Sequence, residues 1–187
     1  MRLFRPFIPS LAVMLMASSG AGAQAVLIDK SEIRFVSRQM GVNVEGRFRK
    51  WKANVDVRPK ELAKSKAEFE IDLASIDLAS EESETEVRRP RWFDTAKFPV
   101  ATFHSTAMKD LGGDRYEIAG TLTLKGKAQD EKFPIEVKKD AAGNSVATGE
   151  FTIKRLAFNI GDGQWGDPTI VADDVIVRVR MVLPRAA

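Results

Sequence analysis

This 187-residue chain has no cysteine, one histidine (His104) and one tyrosine (Tyr116). Without cysteine there is no disulfide to hold the fold, no thiolate metal site and no thiol nucleophile. A lone histidine, with no second histidine or cysteine at metal spacing, supplies neither a metal centre nor a base with its orienting partner. The longest apolar stretch, Leu11–Ala17, falls well short of the ~20 residues that a spanning helix needs. No long Lys/Arg tract is interleaved with aromatics, which argues against a nucleic-acid partner. The motifs G-x-S-x-G, S-x-x-K and H-E-x-x-H are all missing, so nothing nominates a nucleophile, an oxyanion hole or a tuned general acid. The sequence predicts a protein that is not an enzyme and carries no catalytic cofactor or metal.

What is present begins with an export signal. Arg2 and Arg5 precede the short apolar run, and Ala21-Gly22-Ala23 closes it with small residues. This is the layout of a secretory signal peptide, with cleavage expected after Ala23 and a second site after Ala25. A signal over residues 1–23 predicts a periplasmic protein with no stable membrane anchor. Its removal takes two of the 29 basic residues, against 26 acidic ones, so the remaining chain is close to neutral. Residues 24–187 then make one domain, large enough to bury a core.

That domain reads as strands. Ala67, Phe69, Ile71 and Leu73 alternate with charged neighbours, as in a half-buried antiparallel strand. Tyr116 to Leu124 and Val175 to Leu183 show the same period of two, and Phe133 to Val137 a shorter one. There Pro134 points to an edge or a bulge. Weaker patterns cover 32–38, 42–57, 100–108 and 145–153. Gly112-Gly113-Asp114, Gly126-Lys127 and Ala142-Gly143-Asn144 separate the later runs as hairpin turns. Consecutive strands should therefore neighbour one another, in a sheet whose closure removes its edges. A helix over 80–89 is predicted from Ser80 as N-cap, glutamates in the first turn and arginines at the far end. Pro59 to Ala63 could form a second short helical turn.

His104 lies on a predicted strand, where a hydrogen-bonded or solvated side chain is its simplest role. The Asp162 to Asp167 loop and Asp173-Asp174 offer carboxylates, but not in the order of a calcium loop, so a turn capped by side chains is the simpler reading. The aromatics Phe48, Trp51, Trp92, Phe93, Phe98, Phe103, Phe151, Phe158 and Trp165 cluster near proposed strand ends and crossing loops. Each alone would suit a packed core. A barrel of about eight strands, however, is just wide enough to hold one small ligand among such side chains.

Trp92 to Pro99, Gly120-Thr121-Leu122-Thr123-Leu124-Lys125-Gly126 and Phe158-Asn159-Ile160-Gly161 complete the picture. With Ser31 to Phe35, Gly41 to Phe48 and Ile71 to Asp77, they resemble the YceI-like family of periplasmic isoprenoid-lipid carriers over residues 28 to 183. A histidine that many members carry after the first strand is replaced here by Ser37-Arg38-Gln39-Met40-Gly41. The resemblance implies an all-β fold: an extended, lipocalin-like antiparallel barrel with one or two short helices and an internal apolar tunnel. It implies a bound isoprenoid lipid or ubiquinone-like molecule, with helix 80–89 and the Trp92-Phe93 turn at one rim. Strand parity and the likeness together nominate Phe35, Met40, Phe69, Ile71, Tyr116 and Leu122 as ligand-binding residues, besides the nine aromatics above. The competing expectation is an accessory module of a membrane redox protein, with a membrane cytochrome as partner. A homodimer is a further expectation, through a bare edge beside Pro134.

Overall fold

The computed structural model describes residues 25–58 and 60–185. The predicted signal peptide over 1–23 and Pro59 lie outside the described residues. Ten strands form one antiparallel sheet: β1 (Glu32–Gln39), β2 (Val42–Phe48), β3 (Trp51–Asp56), β4 (Lys66–Asp72), β5 (Ile76–Asp77), β6 (Val100–Gly112), β7 (Arg115–Leu124), β8 (Lys127–Lys139), β9 (Ser145–Lys154) and β10 (Asp174–Leu183). Their order is β3-β4-β6-β7-β8-β9-β10-β1-β2-β5.

The excess over the expected eight has a local cause. Two long runs are each interrupted once: 42–56 at Arg49-Lys50, and 66–77 at the tight turn Leu73–Ser75. The hydrogen-bond ladder carries on across both breaks. Arg49 N donates to Ser75 O at 3.0 Å and Asp72 N to Lys50 O at 3.0 Å. Ten strands less two breaks gives the eight read from the sequence. Because β2 pairs with β1 while β3 pairs with β4, the broken strand joins the two ends of the order. The sheet thus curls round on itself, with few free edges.

The hairpins β6–β7–β8–β9 are consecutive, as expected. Between β7 and β8 the turn is only Lys125-Gly126, with φ of +49° and +71°. A two-residue turn of that kind needs positive φ at both centres, which glycine adopts freely. Pro134 lies within β8, opposite Glu117, at a local edge of the strand. Pairing with β9 starts one residue later, at Ile135. Residues 127–134 therefore part from β9, and the short helical turn Arg155–Phe158 packs against β8 there. The proline marks where the wall splits.

Helix α1 spans Glu81–Val87, shorter than expected. Ser80 Oγ accepts from Ser83 N at 3.2 Å, the predicted cap. The arginines lie beyond the helix end rather than in its last turn. Arg88 reaches back to Glu84 at 3.1 Å and Arg89 to Glu86 at 2.9 Å. In the next segment Phe93 N bonds Val87 O at 3.0 Å, which folds residues 88–98 over one end of the barrel. The Pro59–Ala63 expectation shifts to a turn over Leu62–Lys64.

Candidate functional site

Inside the barrel lies a cavity of about 1290 Å³. Ordinary small-ligand pockets hold ~300–1,000 Å³. The alternation read from the sequence builds it: in β7, Tyr116, Ile118, Leu122 and Leu124 all face inward, and in β10 so do Val175 through Leu183 on alternate positions. The cavity is bordered at one end by α1, Trp92 and Phe93, and at the other by Val57, Leu62 and Leu183. It therefore runs the length of the barrel. Its walls are mainly hydrocarbon and aromatic, a surface that suits a branched apolar chain, with charged side chains such as Arg34, Glu82, Arg89 and Lys139 among the lining.

Eleven of the fifteen nominated residues border it. Phe35 and Phe48 come from β1 and β2, and Phe69 and Ile71 from β4. Phe103, Tyr116, Leu122 and Phe151 come from the hairpins, and Trp92, Phe93 and Trp165 from the closing loops. Phe133, which was not nominated, stacks on Phe151 with centroids 4.2 Å apart.

Four nominated residues do not border the cavity. Met40 is 72% exposed. It sits with φ +47° at the tip of the two-residue turn Met40-Gly41, beyond the barrel rim. Trp51 is buried in the wall against Phe69, centroids 6.5 Å apart, and does not reach the cavity. Phe98 covers Gly126 on the outside of the closing segment, where a Cβ would stand 2.7 Å from its Cε1. Phe158 is fully buried on the turn that fills the split between β8 and β9.

The most unusual polar group at this site was invisible in the sequence. Arg155 is 2% exposed and faces the cavity end. Its five N–H donors meet five backbone carbonyls: Ala172 at 3.0 Å, Ile160 at 2.7 Å, Gly161 at 2.7 Å, Trp165 at 2.7 Å and Val171 at 2.6 Å. A guanidinium has five donors and here all are used. Burial lowers its pKa and the nearby Asp173 partly opposes this. Arg155 thereby clamps loop 160–172, which delivers Trp165 to the cavity. An arginine beside Lys154 at the end of a strand looks like a solvated strand end.

His104 is on the outer face, with its side chain 58% exposed and 4.0 Å from Glu68. In the Asp162–Asp167 loop, Asp167 accepts from Thr169 N at 2.8 Å and Thr169 Oγ1 at 2.7 Å, and these bonds lower its pKa. Asp173 accepts from Leu156 N at 2.9 Å. Both carboxylates cap turns.

Comparison with known proteins places this geometry. The family model for the YceI-like domain matches residues 25–183. A UPF0312 protein of Vibrio campbellii is 30% identical over 149 residues, covering 77% of this chain and 78% of its own. BcnA of Burkholderia cenocepacia superposes with a TM-score of 0.80 at 40% identity, covering 84% of this chain and 98% of its own. A polyisoprenoid binding domain from Saccharophagus degradans shares the fold, with a TM-score of 0.71 at 19% identity, covering 88% of this chain and 99% of its own.

Proposed function

The chain belongs to the YceI-like family, and from that premise we propose that it is a periplasmic carrier that holds a long-chain isoprenoid lipid or quinone inside its barrel, without catalysing a reaction on it. One observation carries the reading: an apolar cavity of about 1290 Å³ that runs the length of the barrel. Burying a branched hydrocarbon there gains roughly 25 cal/mol per Å² of apolar surface removed from water. Such a tail brings no polar group of its own that would be buried unpaired. The polyisoprenoid-binding relative of the same fold supports the cargo class. The export signal read over residues 1–23 supports the compartment.

The test is to purify the protein from its native envelope fraction without detergent. Denaturing lipid extraction with mass spectrometry is then run beside a native mass spectrum. One prenyl lipid or quinone per chain is the expected result. A bare-chain mass with an empty extract would overturn the carrier role and leave the partner-binding alternative, an accessory to a membrane cytochrome, as the reading to pursue.

A further inference from the structure

Helix α1 lies across one end of the cavity, and every one of its residues except Glu84 borders that space. A helix that seals an apolar bore by packing carries an apolar stripe. This one reads Glu-Glu-Ser-Glu-Thr-Glu-Val, with Val87 as its only apolar side chain, and none of its residues is buried. Its seven residues are too few to hold a helix in water unaided. Glu82 and Glu86, four apart on the helix, also repel each other.

The chain is fixed on both sides of α1 but hardly within it. Before the helix, Ile76 and Asp77 pair with β2. After it, Val87 O accepts from Phe93 N at 3.0 Å, and Arg91 O accepts from Gly161 N and Asp162 N at 2.8 and 3.1 Å. Between β5 and the helix, Ala79 and Ser80 are exposed. The polar ties of α1 converge on one half-buried carboxylate. Glu84 Oε1 accepts from Leu78 N at 3.2 Å and lies 3.6 Å from Arg49 Nη2, and Oε2 accepts from Arg88 Nη2 at 3.1 Å. Leu78 and Arg88 belong to the flanks of the helix itself. Arg49, at the break between β2 and β3, is the one ion-pair partner on the barrel wall that α1 has among the described residues.

The opposite end is held differently. Val55, Met181 and Leu183 are buried there, and Leu27 N bonds Val182 O at 2.8 Å. Opening that end breaks apolar packing, whereas lifting α1 moves side chains that water already reaches. Resting on the carrier role above, we propose that α1 is a lid, hinged at Ala79-Ser80 and at Val87 and latched by Glu84 to Arg49, and that cargo enters and leaves beneath it. The tail leads on entry, because the bore beyond is mainly apolar. An ion pair whose arginine is 54% exposed is a weak one, so the latch shifts the balance of closed and open lids by about threefold.

The test is stopped-flow binding of farnesyl anthranilate, an uncharged prenyl ester whose fluorophore takes energy from tryptophan, to the delipidated protein. Release is followed by chasing with excess farnesol. A lid that must open for passage either way limits both rates alike. Glu84→Gln keeps an oxygen for Leu78 N and removes the charge. It should raise the entry and exit rates together by about threefold and leave their ratio, the affinity, unchanged. Raising sodium chloride from about 50 to about 500 mM should shrink the difference between parent and variant, because salt screens the latch in the parent. Arg49→Gln cuts the latch from the barrel side, leaves Asp77 its pair with Arg47 at 2.6 Å, and serves if the first variant does not fold. Arg58→Gln breaks an ion pair with Asp56 at the other end of the barrel and should leave both rates as they are. Unchanged rates in both latch variants overturn the lid and leave the carrier role intact. So does a faster exit alone with weaker binding, which would make α1 a fixed wall. A rise of both rates in Arg58→Gln only would put the entrance at the other end and overturn the lid as well. Failure of the probe to bind the parent protein overturns the carrier role itself.

Discussion

At the scale of single residues, Arg155 and Glu131 show the two fates of a charge turned inward. Arg155 is tolerated because every donor has a carbonyl. Replacing it by lysine leaves three donors in a different geometry, so at least two carbonyls lose their partner. Arg155→Lys should cost about 2–5 kcal/mol in urea unfolding. It should also release loop 160–172, seen as a red shift of Trp165 emission. Glu131 has no such support. It lies opposite Gly120 on the inward row that continues to Phe133, and burial alone raises its pKa above the ordinary carboxylate value. The folded state therefore holds that proton at a pH where the unfolded chain has released it. Its contribution is most favourable below the ordinary glutamate pKa of ~4.3 and declines as pH rises toward the folded value. Glu131→Gln should be more stable than the parent near neutrality, with the advantage shrinking toward about pH 4 in melting curves. An advantage independent of pH would show that the carboxyl is not the cause.

At the scale of elements, close approaches explain positions that alternation alone does not. Gly120 of β7 faces Ser105 of β6, where the register slips between Ser105 and Ala107. A Cβ at Gly120 would stand 2.5 Å from His104 O and 2.5 Å from Phe103 Cζ. The carbonyl is backbone and cannot swing aside, so Gly120→Ala should lose about 1–3 kcal/mol and lower the melting temperature. The inward-facing rows of β4, β7 and β10 were legible because alternation over seven or more residues fixes which face is apolar. The breaks at Arg49-Lys50 and Leu73–Ser75 were not, because neither carries the glycine or proline that usually announces one. Parity fails just beyond a strand end. Met40 lies past β1 in a turn signalled by Gly41 alone, and Phe158 lies past β9 on a helical turn that redirects it into the split. Trp51 faces the correct way, but Phe69 packs against it. Sequence gives the face of a residue and not the layer it reaches. For the same reason Arg155 could not be read: five carbonyls from a loop that returns to it have no local signature.

At the scale of the whole molecule, covalent continuity and the cavity are one fact. The broken strand 42–56 pairs with β1 at its start and β4 at its end, and the inward faces of all the long strands then enclose a single apolar bore. A bore open along the whole barrel fits a chain-like cargo, and its length should set how much chain is covered. Ala147 tests this at the end remote from α1. It is half-buried, borders the cavity and sits between Val137 of β8 and Met181 of β10. Ala147→Phe puts a ring where the tail tip would lie, at a position whose partial exposure leaves room for it. Each methylene pushed back into water forfeits roughly 0.8 kcal/mol, so excluding a couple of carbons weakens a full-length isoprenoid by about tenfold. A shorter prenyl chain that ends before Ala147 should bind as it does to the parent, and the lipid recovered from cells should shift toward shorter chains by mass spectrometry. Equal weakening for long and short chains would mean that the barrel had been distorted as a whole. No weakening for either would mean that the cargo stops short of this end, and that the bore is longer than the chain it holds.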